Sequence, residues 1–330
     1  MKLILFNSKP HDVESFRNAN ISAKHELVFI NEPLNSESVS LVADAQAICV
    51  FVNDVIDAEL LEQLHSQGTR LITLRCAGYN NVDIAAAKSI GIQVANVPAY
   101  SPHAVAEHAL ALILALNRHI AEANNRVHSG NFSLEGLKGF DLYGKTAGII
   151  GTGRIGAIVA CVLQSLGMRV LATDPLENPE CCNKGIEYVD LATLLSLADV
   201  ISLHCPLTDE SCYLINEVEI AKMKQGVMLI NTSRGGVLNT QAAINGLQTG
   251  QIGYLGIDVY EHEQHLFFRD LSEESFDDDE FKKLLALPNV LITPHQAFFT
   301  DEALEKISTT TLTSLTEFEQ GQSLTYGINK

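Results

Sequence analysis

The sequence predicts an α/β protein made of two parallel-sheet domains. Three observations carry that reading. Short apolar runs alternate with stretches of helical spacing along nearly the whole chain. The stretch TAGIIGTGRIG, residues 146–156, sets three glycines between an apolar run and a helical pattern. The chain has 330 residues, 46% of them hydrophobic and 19% charged, which suits two globular domains with sizeable cores.

The N-terminal part reads as a parallel α/β domain. Residues 3–6, 27–30, 47–52, 71–74 and 93–96 are short apolar runs of strand length. Between them, 58–67 and 84–89 have helical spacing. Pro98 and Pro102 then punctuate the chain. A long helical pattern over 103–128, with apolar Val105, Ala109, Leu112, Ile113 and Leu116, is expected to be one helix joining two domains.

A second alternation opens at the glycine stretch. Strands are expected at 147–150, 169–173, 200–204, 227–231, 254–258 and 290–293, with helices such as 191–198 and 241–249 between them. The acidic segment 267–280 is expected to be a solvated loop. The last helical pattern, 302–320, has no strand after it and is expected to pack back on the first domain.

The glycines follow G-x-G-x-x-G at Gly151, Gly153 and Gly156. In a strand-to-helix turn the first glycine permits the turn, the second admits a pyrophosphate to the backbone, and the third lets the helix pack close. Phosphates then sit at the helix N-terminus, where free N–H groups and the helix dipole attract anions. Asp174 ends the next apolar run, at the spacing of a carboxylate that accepts from a ribose diol. It would repel a 2′-phosphate, and no Arg follows it, so the expected cofactor is NAD in a Rossmann domain.

Composition removes several function classes. A net charge of −18 disfavours nucleic acid and anionic membranes as partners. Seven scattered cysteines, an adjacent Cys181 and Cys182, and no signal-peptide pattern point to reduced thiols and the cytoplasm. No zinc spacing is present, and no metal is expected. The apolar run 109–116 is too short to span a bilayer and follows Glu107 and His108.

Ligands of such folds bind at the carboxyl ends of parallel strands. Asp174, the triplet His204-Cys205-Pro206, Thr232-Ser233-Arg234, Asp258 and His295 all fall at predicted strand ends. Hydride exchange with a 2-hydroxy acid needs a carboxylate anchor, an acid/base, and a group that holds the acid/base in its working state. Arg234 suits the first, through a planar, permanently charged fork. His295 suits the second, because imidazole exchanges protons near neutrality. Glu263 suits the third, because a neighbouring carboxylate favours the protonated ring and orients it.

Over nearly its whole length the chain resembles the D-isomer-specific 2-hydroxyacid dehydrogenases. The resemblance lies in RCAGYNNVD (75–83), VPAYSPHAVAEHALALILALNR (97–118), the glycine stretch, HCPLT (204–208), LINTSRGGV (229–237), GIDVYEHE (256–263) and ITPHQAFFT (292–300). Within the family it is most similar to the fermentative D-lactate dehydrogenases, through Tyr100-Ser101-Pro102, Tyr260-Glu261-His262-Glu263 and Phe298-Phe299.

The resemblance implies roles for individual residues. Arg234 would bind and polarise the substrate, with His295 as acid/base and Glu263 as its partner. Backbone N–H groups of Ala77 and Gly78 would hold the carboxylate, and Tyr100, Phe298 and Phe299 would line the side-chain pocket. Arg154 and Ile155 would cover the pyrophosphate, and Asp258 would meet the nicotinamide carboxamide. The family fold pairs a flavodoxin-like substrate domain, here residues 1–99 with 299–330, with a Rossmann domain, here 100–298, and a cleft between them. It also implies dimers formed through the nucleotide domains, or dimers of dimers.

The family's formate dehydrogenase branch has glutamine as the histidine's partner, since oxidation of formate releases no proton. Glu263 fits a reaction that moves one. The implied activity is NADH-dependent reduction of pyruvate to D-lactate. A broader 2-ketoacid reductase is the main alternative, and a hydroxypyruvate or phosphoglycerate enzyme is disfavoured by the lack of a cation cluster for a phosphate. A nicotinamide-sensing scaffold is the alternative outside the enzymes.

Overall fold

The computed structural model describes residues 1–329 and divides into two compact units, Met1–Ser101 with Phe299–Lys330, and Pro102–Phe298. The first break falls where Pro102 opens a helix. Proline suits the first helical position and pushes the residue before it out of the helix.

The first unit runs β1 Lys2–Leu5, α1 Pro10–Ala23, β2 Glu26–Phe29, β3 Ala47–Val50, α2 Ala58–Ser66, β4 Leu71–Leu74, α3 Ile84–Ser89 and β5 Gln93–Ala95. The strands pair in parallel in the order β2-β1-β3-β4-β5. That is the doubly wound order of flavodoxin-like domains. β3 and β4 are buried along their full length, as a sheet covered on both faces requires. Asp57 and Asp83 begin α2 and α3 by accepting from the backbone N–H groups of Leu60 and Ala86. The C-terminal helix Asp301–Glu319 packs on α1, and its Leu312 and Leu315 join Leu3, Leu5, Phe16 and Leu71 in one core cluster. The expected return of this helix to the first domain is therefore observed.

The second unit begins with α4 Pro102–Asn117 and α5 Ile120–His128. The single helix expected over 103–128 is in fact broken, with His119 in the left-handed region at φ 49°. Apolar spacing stops at Leu116. Beyond it α5 buries no residue, so no core contact keeps it in line with α4. There follow β6 Thr146–Ile150, α6 Arg154–Ser165, β7 Arg169–Thr173, α7 Pro179–Asn183, β8 Glu187–Tyr188, α8 Leu191–Leu197, β9 Val200–Leu203, α9 Glu217–Lys222, β10 Val227–Asn231, α10 Thr240–Thr249, β11 Ile252–Ile257, α11 Asp279–Leu285 and β12 Val290–Ile292. The C-terminal helix is α12.

This sheet is parallel throughout, in the order β12-β11-β10-β9-β6-β7-β8. The order reverses between β6 and β9, which is the switch point where a Rossmann sheet binds its ligand. β8 went unforeseen because two residues carry no periodicity. The acidic segment is a loop for most of its length but is not simply solvated. Phe267 is buried, Phe276 packs on the same core cluster, and Asp278 caps α11 by accepting from the Phe281 N–H at 2.8 Å.

Candidate active site

The glycine turn joins β6 to α6 as the motif predicts. Gly151 has φ +91°, and a Cβ there would lie 2.7 Å from the backbone N of Cys205. A Cβ on Gly156 would run into the Gly151 carbonyl oxygen, so this crossing of helix and turn demands glycine. Gly153 opens into space free of protein within 4 Å. It is also the N-cap of α6, so no side chain occupies the first-turn N–H groups of Arg154, Ile155 and Gly156. Asp174 steadies the turn. One oxygen accepts from the Thr152 N–H at 2.6 Å and the other from the Leu176 N–H at 2.9 Å. The Tyr188 hydroxyl donates to Thr152 Oγ1 at 2.8 Å, so the unforeseen β8 also braces this turn.

Two neighbouring strand ends complete that edge. After β9, His204 Nε2 lies 2.8 Å from Ser202 Oγ. The residue keeps some accessible surface, but protein surrounds the ring, and burial pushes its pKa down to about 4. It is a neutral ring at physiological pH. Burial raises the Cys205 thiol, with Asp174 adding to the effect, which keeps it protonated. Pro206 is exposed. After β10, Thr232 Oγ1 is buried without a hydrogen-bond partner, and Ser233 binds Asn231 Oδ1 through both its N–H and its hydroxyl. An open N-terminal helix turn, an acid able to accept ribose hydroxyls and an orphaned threonine hydroxyl together fit a dinucleotide.

The catalytic candidates lie in the same unit. Arg234 follows β10, and its Nη1 donates to the Ser233 carbonyl at 2.7 Å. Gly235, next to it, presses on the peptide joining Tyr260 and Glu261, where a Cβ would collide with the backbone. Glu263 lies in that second segment. Its Oε2 accepts from the Tyr260 N–H at 2.9 Å, and its Oε1 lies 2.7 Å from His295 Nδ1. Both side chains are mostly enclosed, with 15% and 18% exposure. The Phe268 ring stands 5.7 Å from the imidazole.

His295 has a left-handed backbone, φ 54°, and its N–H returns to the Thr293 carbonyl at 3.0 Å. Such conformations persist in side-chain-bearing residues where the surroundings enforce them. Here Asp258 does so. It is fully buried after β11 and accepts from Thr293 Oγ1 at 2.5 Å, the Gln296 N–H at 2.9 Å and the Ala297 N–H at 2.9 Å. His108 of α4 reaches the same cluster, with Nε2 2.9 Å from Thr293 Oγ1 and 3.4 Å from Asp258 Oδ1. Asp258, which the resemblance places against the nicotinamide, thus has both oxygens engaged in folding the loop that carries His295. His108, Thr293 and Phe268 were not singled out from the sequence, where His108 marks only the polar edge of an apolar run.

The remaining candidates lie in the first unit or at its border. Ala77 and Gly78 follow β4, where the Ala77 carbonyl accepts from Asn96 Nδ2 at 2.7 Å. Tyr100 is half-buried after β5. Phe298 is half-buried, and Phe299 makes an edge contact with His11, their rings 4.7 Å apart.

Comparison with known proteins decides the family. Residues 110–297 match the D-isomer specific 2-hydroxyacid dehydrogenase NAD binding domain. The chain belongs to the D-isomer specific 2-hydroxyacid dehydrogenase family. It is 49% identical over 323 residues to the D-lactate dehydrogenase of Escherichia coli (strain K12), covering 98% of each chain. The structure described as the pyruvate reductase of Chlamydomonas reinhardtii matches with TM-score 0.94 and 41% identity over 98% of each chain. That of the Lactobacillus jensenii D-lactate dehydrogenase with NAD+ matches with TM-score 0.83 and 33% identity over 100% of each. As a member of the 2-hydroxyacid dehydrogenase family the chain is an NAD-dependent oxidoreductase acting on a small hydroxy or keto acid. Among the described residues, no helix of this dehydrogenase is long and apolar enough to cross a membrane.

Proposed function

We propose that the chain reduces pyruvate to D-lactate with NADH, reversibly, with His295 as the proton donor. The observation that carries the reading is the 2.7 Å contact of His295 Nδ1 with Glu263 Oε1. It holds Nδ1 as the proton-bearing nitrogen toward Glu263 and leaves Nε2 as the atom that gives a proton to the substrate oxygen. The carboxylate of Glu263 offsets the ring's positive charge before transfer. Arg234 grips the substrate carboxylate and draws electron density from the carbonyl. When bound, the reduced nicotinamide supplies the hydride that the carbonyl carbon receives.

For the cofactor we assign Gly151, Gly153, Arg154, Ile155 and Gly156 to the pyrophosphate and Asp174 to the ribose. His204, Cys205, Pro206, Thr232, Ser233 and Asp258 are assigned to the rest of the cofactor edge. Ala77 and Gly78 are assigned to the substrate carboxylate, and Tyr100, Phe298 and Phe299 to the substrate's small side chain, on family resemblance. The names of the Escherichia coli and Chlamydomonas reinhardtii relatives support pyruvate and D-lactate as the pair. We also infer a fermentative role for a cytoplasmic homodimer or dimer of dimers. All seven cysteines are free, in keeping with a reducing compartment.

The test is NADH oxidation with a panel of 2-keto acids, followed by chiral analysis of the product. Pyruvate is expected to be a preferred substrate and D-lactate the product. A preference for bulkier keto acids would shift the reading to a broader reductase, and L-lactate would overturn it.

A further inference from the structure

Beside Glu263, on the side facing α11, lies a second group of polar side chains that the hydride chemistry does not use. Glu261, His262 and Glu280 each bring one donor atom within 4.8 Å of the others. Carboxylates that close repel one another. Among the described residues, no lysine or arginine forms an ion pair with Glu261 or Glu280, and the nearby Lys282 pairs with Asp277 and Asp279.

The decisive atom is Glu261 Oε2. The Glu261 side chain is only 8% exposed, and this oxygen is buried with no hydrogen-bond partner, the Tyr213 hydroxyl being a neutral donor that stands against the same carboxylate. An ionised oxygen removed from water without a donor is costly, and such groups in folded proteins are ordinarily satisfied by water or an ion. Its other oxygen faces His262 Nε2 at 3.8 Å, too long for a hydrogen bond.

The surroundings fix these donors in place. The Tyr260 ring packs on Phe281 at 5.1 Å, and the Tyr260 hydroxyl donates to Asp278 at 2.9 Å. The start of α11, which carries Glu280, is thereby tied to the residue preceding Glu261. Gly235 also presses on the Tyr260 and Glu261 backbone. His262 is 58% exposed, which leaves a route from solvent.

We propose that Glu261, His262 and Glu280 bind a divalent first-row transition cation that fastens the segment carrying Glu263 to α11. One imidazole and two carboxylates suit Zn2+ or Mn2+, whereas Mg2+ and Ca2+ favour oxygen ligands alone. Three protein donors leave a position for water. The ion takes no part in hydride transfer. It neutralises the two carboxylates and braces a segment touched on one side by Gly235, beside Arg234, and continuing on the other into Glu263. Spacing in the sequence did not reveal the site, because Glu280 arrives from a different element.

The test is calorimetric titration of metal-stripped protein with Zn2+ and with Mn2+, together with thermal unfolding, both without NADH or keto acid. Neither readout depends on the substrate reading. The expected result is one ion per chain and a higher unfolding temperature with the ion. Glu280→Gln and His262→Asn should each weaken binding by roughly tenfold or more. Both should keep the metal-free unfolding temperature of the parent, which separates lost binding from misfolding. The proposal is overturned if neither ion binds at millimolar concentration, if both variants bind as tightly as the parent, or if only Mg2+ or Ca2+ binds.

Discussion

Glu263 is held between two partners, accepting from the Tyr260 N–H at 2.9 Å through Oε2 and meeting His295 Nδ1 at 2.7 Å through Oε1. The backbone contact fixes the carboxylate, and the carboxylate fixes the ring. Glu263→Gln keeps the size and much of the hydrogen bonding but removes the negative charge set against the ring. Pyruvate reduction by the variant should lose roughly a hundredfold in kcat, the scale of an impaired proton transfer, with NADH affinity little changed. Steady-state rates check this, with deuterated NADH used to show that hydride transfer limits the rate. A variant with parental kcat would remove Glu263 from its role.

Arg234 tests the anchor. Lysine keeps the charge but loses the planar fork that matches a carboxylate. Arg234→Lys should lower kcat/KM for pyruvate by roughly a hundredfold or more, the scale of losing one positioned charge-stabilising donor. NADH affinity, followed by fluorescence titration, should change little. A variant with near-parental kcat/KM would mean the substrate carboxylate is held elsewhere.

How far the sequence revealed all this depended on the kind of signal. β4, α3 and β10 lie where apolar runs and helical spacing placed them, because each buries a regular pattern. The break at His119 was hidden because α5 keeps helical character without a buried face. Arg234, Glu263 and His295 could be named because they follow strands of a recognisable fold. The loop around Asp258 could not, since its hydrogen bonds are made by the backbone N–H groups of Gln296 and Ala297, which any residue supplies. His108 reaches it from α4 across a long stretch of chain. Such contacts leave no local trace.

Asp174 should decide the cofactor. Its carboxylate would repel a 2′-phosphate, so kcat/KM should strongly favour NADH over NADPH. Asp174→Ser should narrow that ratio. It should also weaken NADH binding, because the Thr152 N–H loses an acceptor now 2.6 Å away. Kinetics with both cofactors measure the effect. Equal efficiency in the parent enzyme would overturn the ribose assignment.

Gly235 links Arg234 to the segment of Glu263. A Cβ at this position would collide with the Tyr260 and Glu261 backbone, which cannot yield as a flexible side chain can. Gly235→Ala should destabilise the protein by about 1–3 kcal/mol, the usual range for overpacking. It should also lower kcat, since Arg234 and Glu263 are displaced together. Urea unfolding and steady-state rates read the two effects. A variant equal to the parent in both would show that the two segments are not coupled.

His204 sets part of the acid limit of stability. Burial pushes its pKa from the ordinary 6.5 down to about 4. Above pH 6.5 the ring is neutral in the folded and unfolded chains alike and contributes no pH dependence. Between pH 6.5 and 4 the unfolded chain takes the proton first, so folding stability falls as pH falls through this window. The loss from this group reaches up to about 3 kcal/mol by pH 4, at 1.36 kcal/mol for each pH unit. His11 and His25 are also lowered by burial and act in the same direction, so the parent alone cannot isolate His204. His204→Gln removes one titration and leaves the other two. Its unfolding free energy, measured in urea at steps from pH 7 to 4, should decline less steeply than the parent's. Parallel slopes in the two proteins would mean that His204 charges as readily in the folded chain as in the unfolded one, and that protein does not exclude water from the ring.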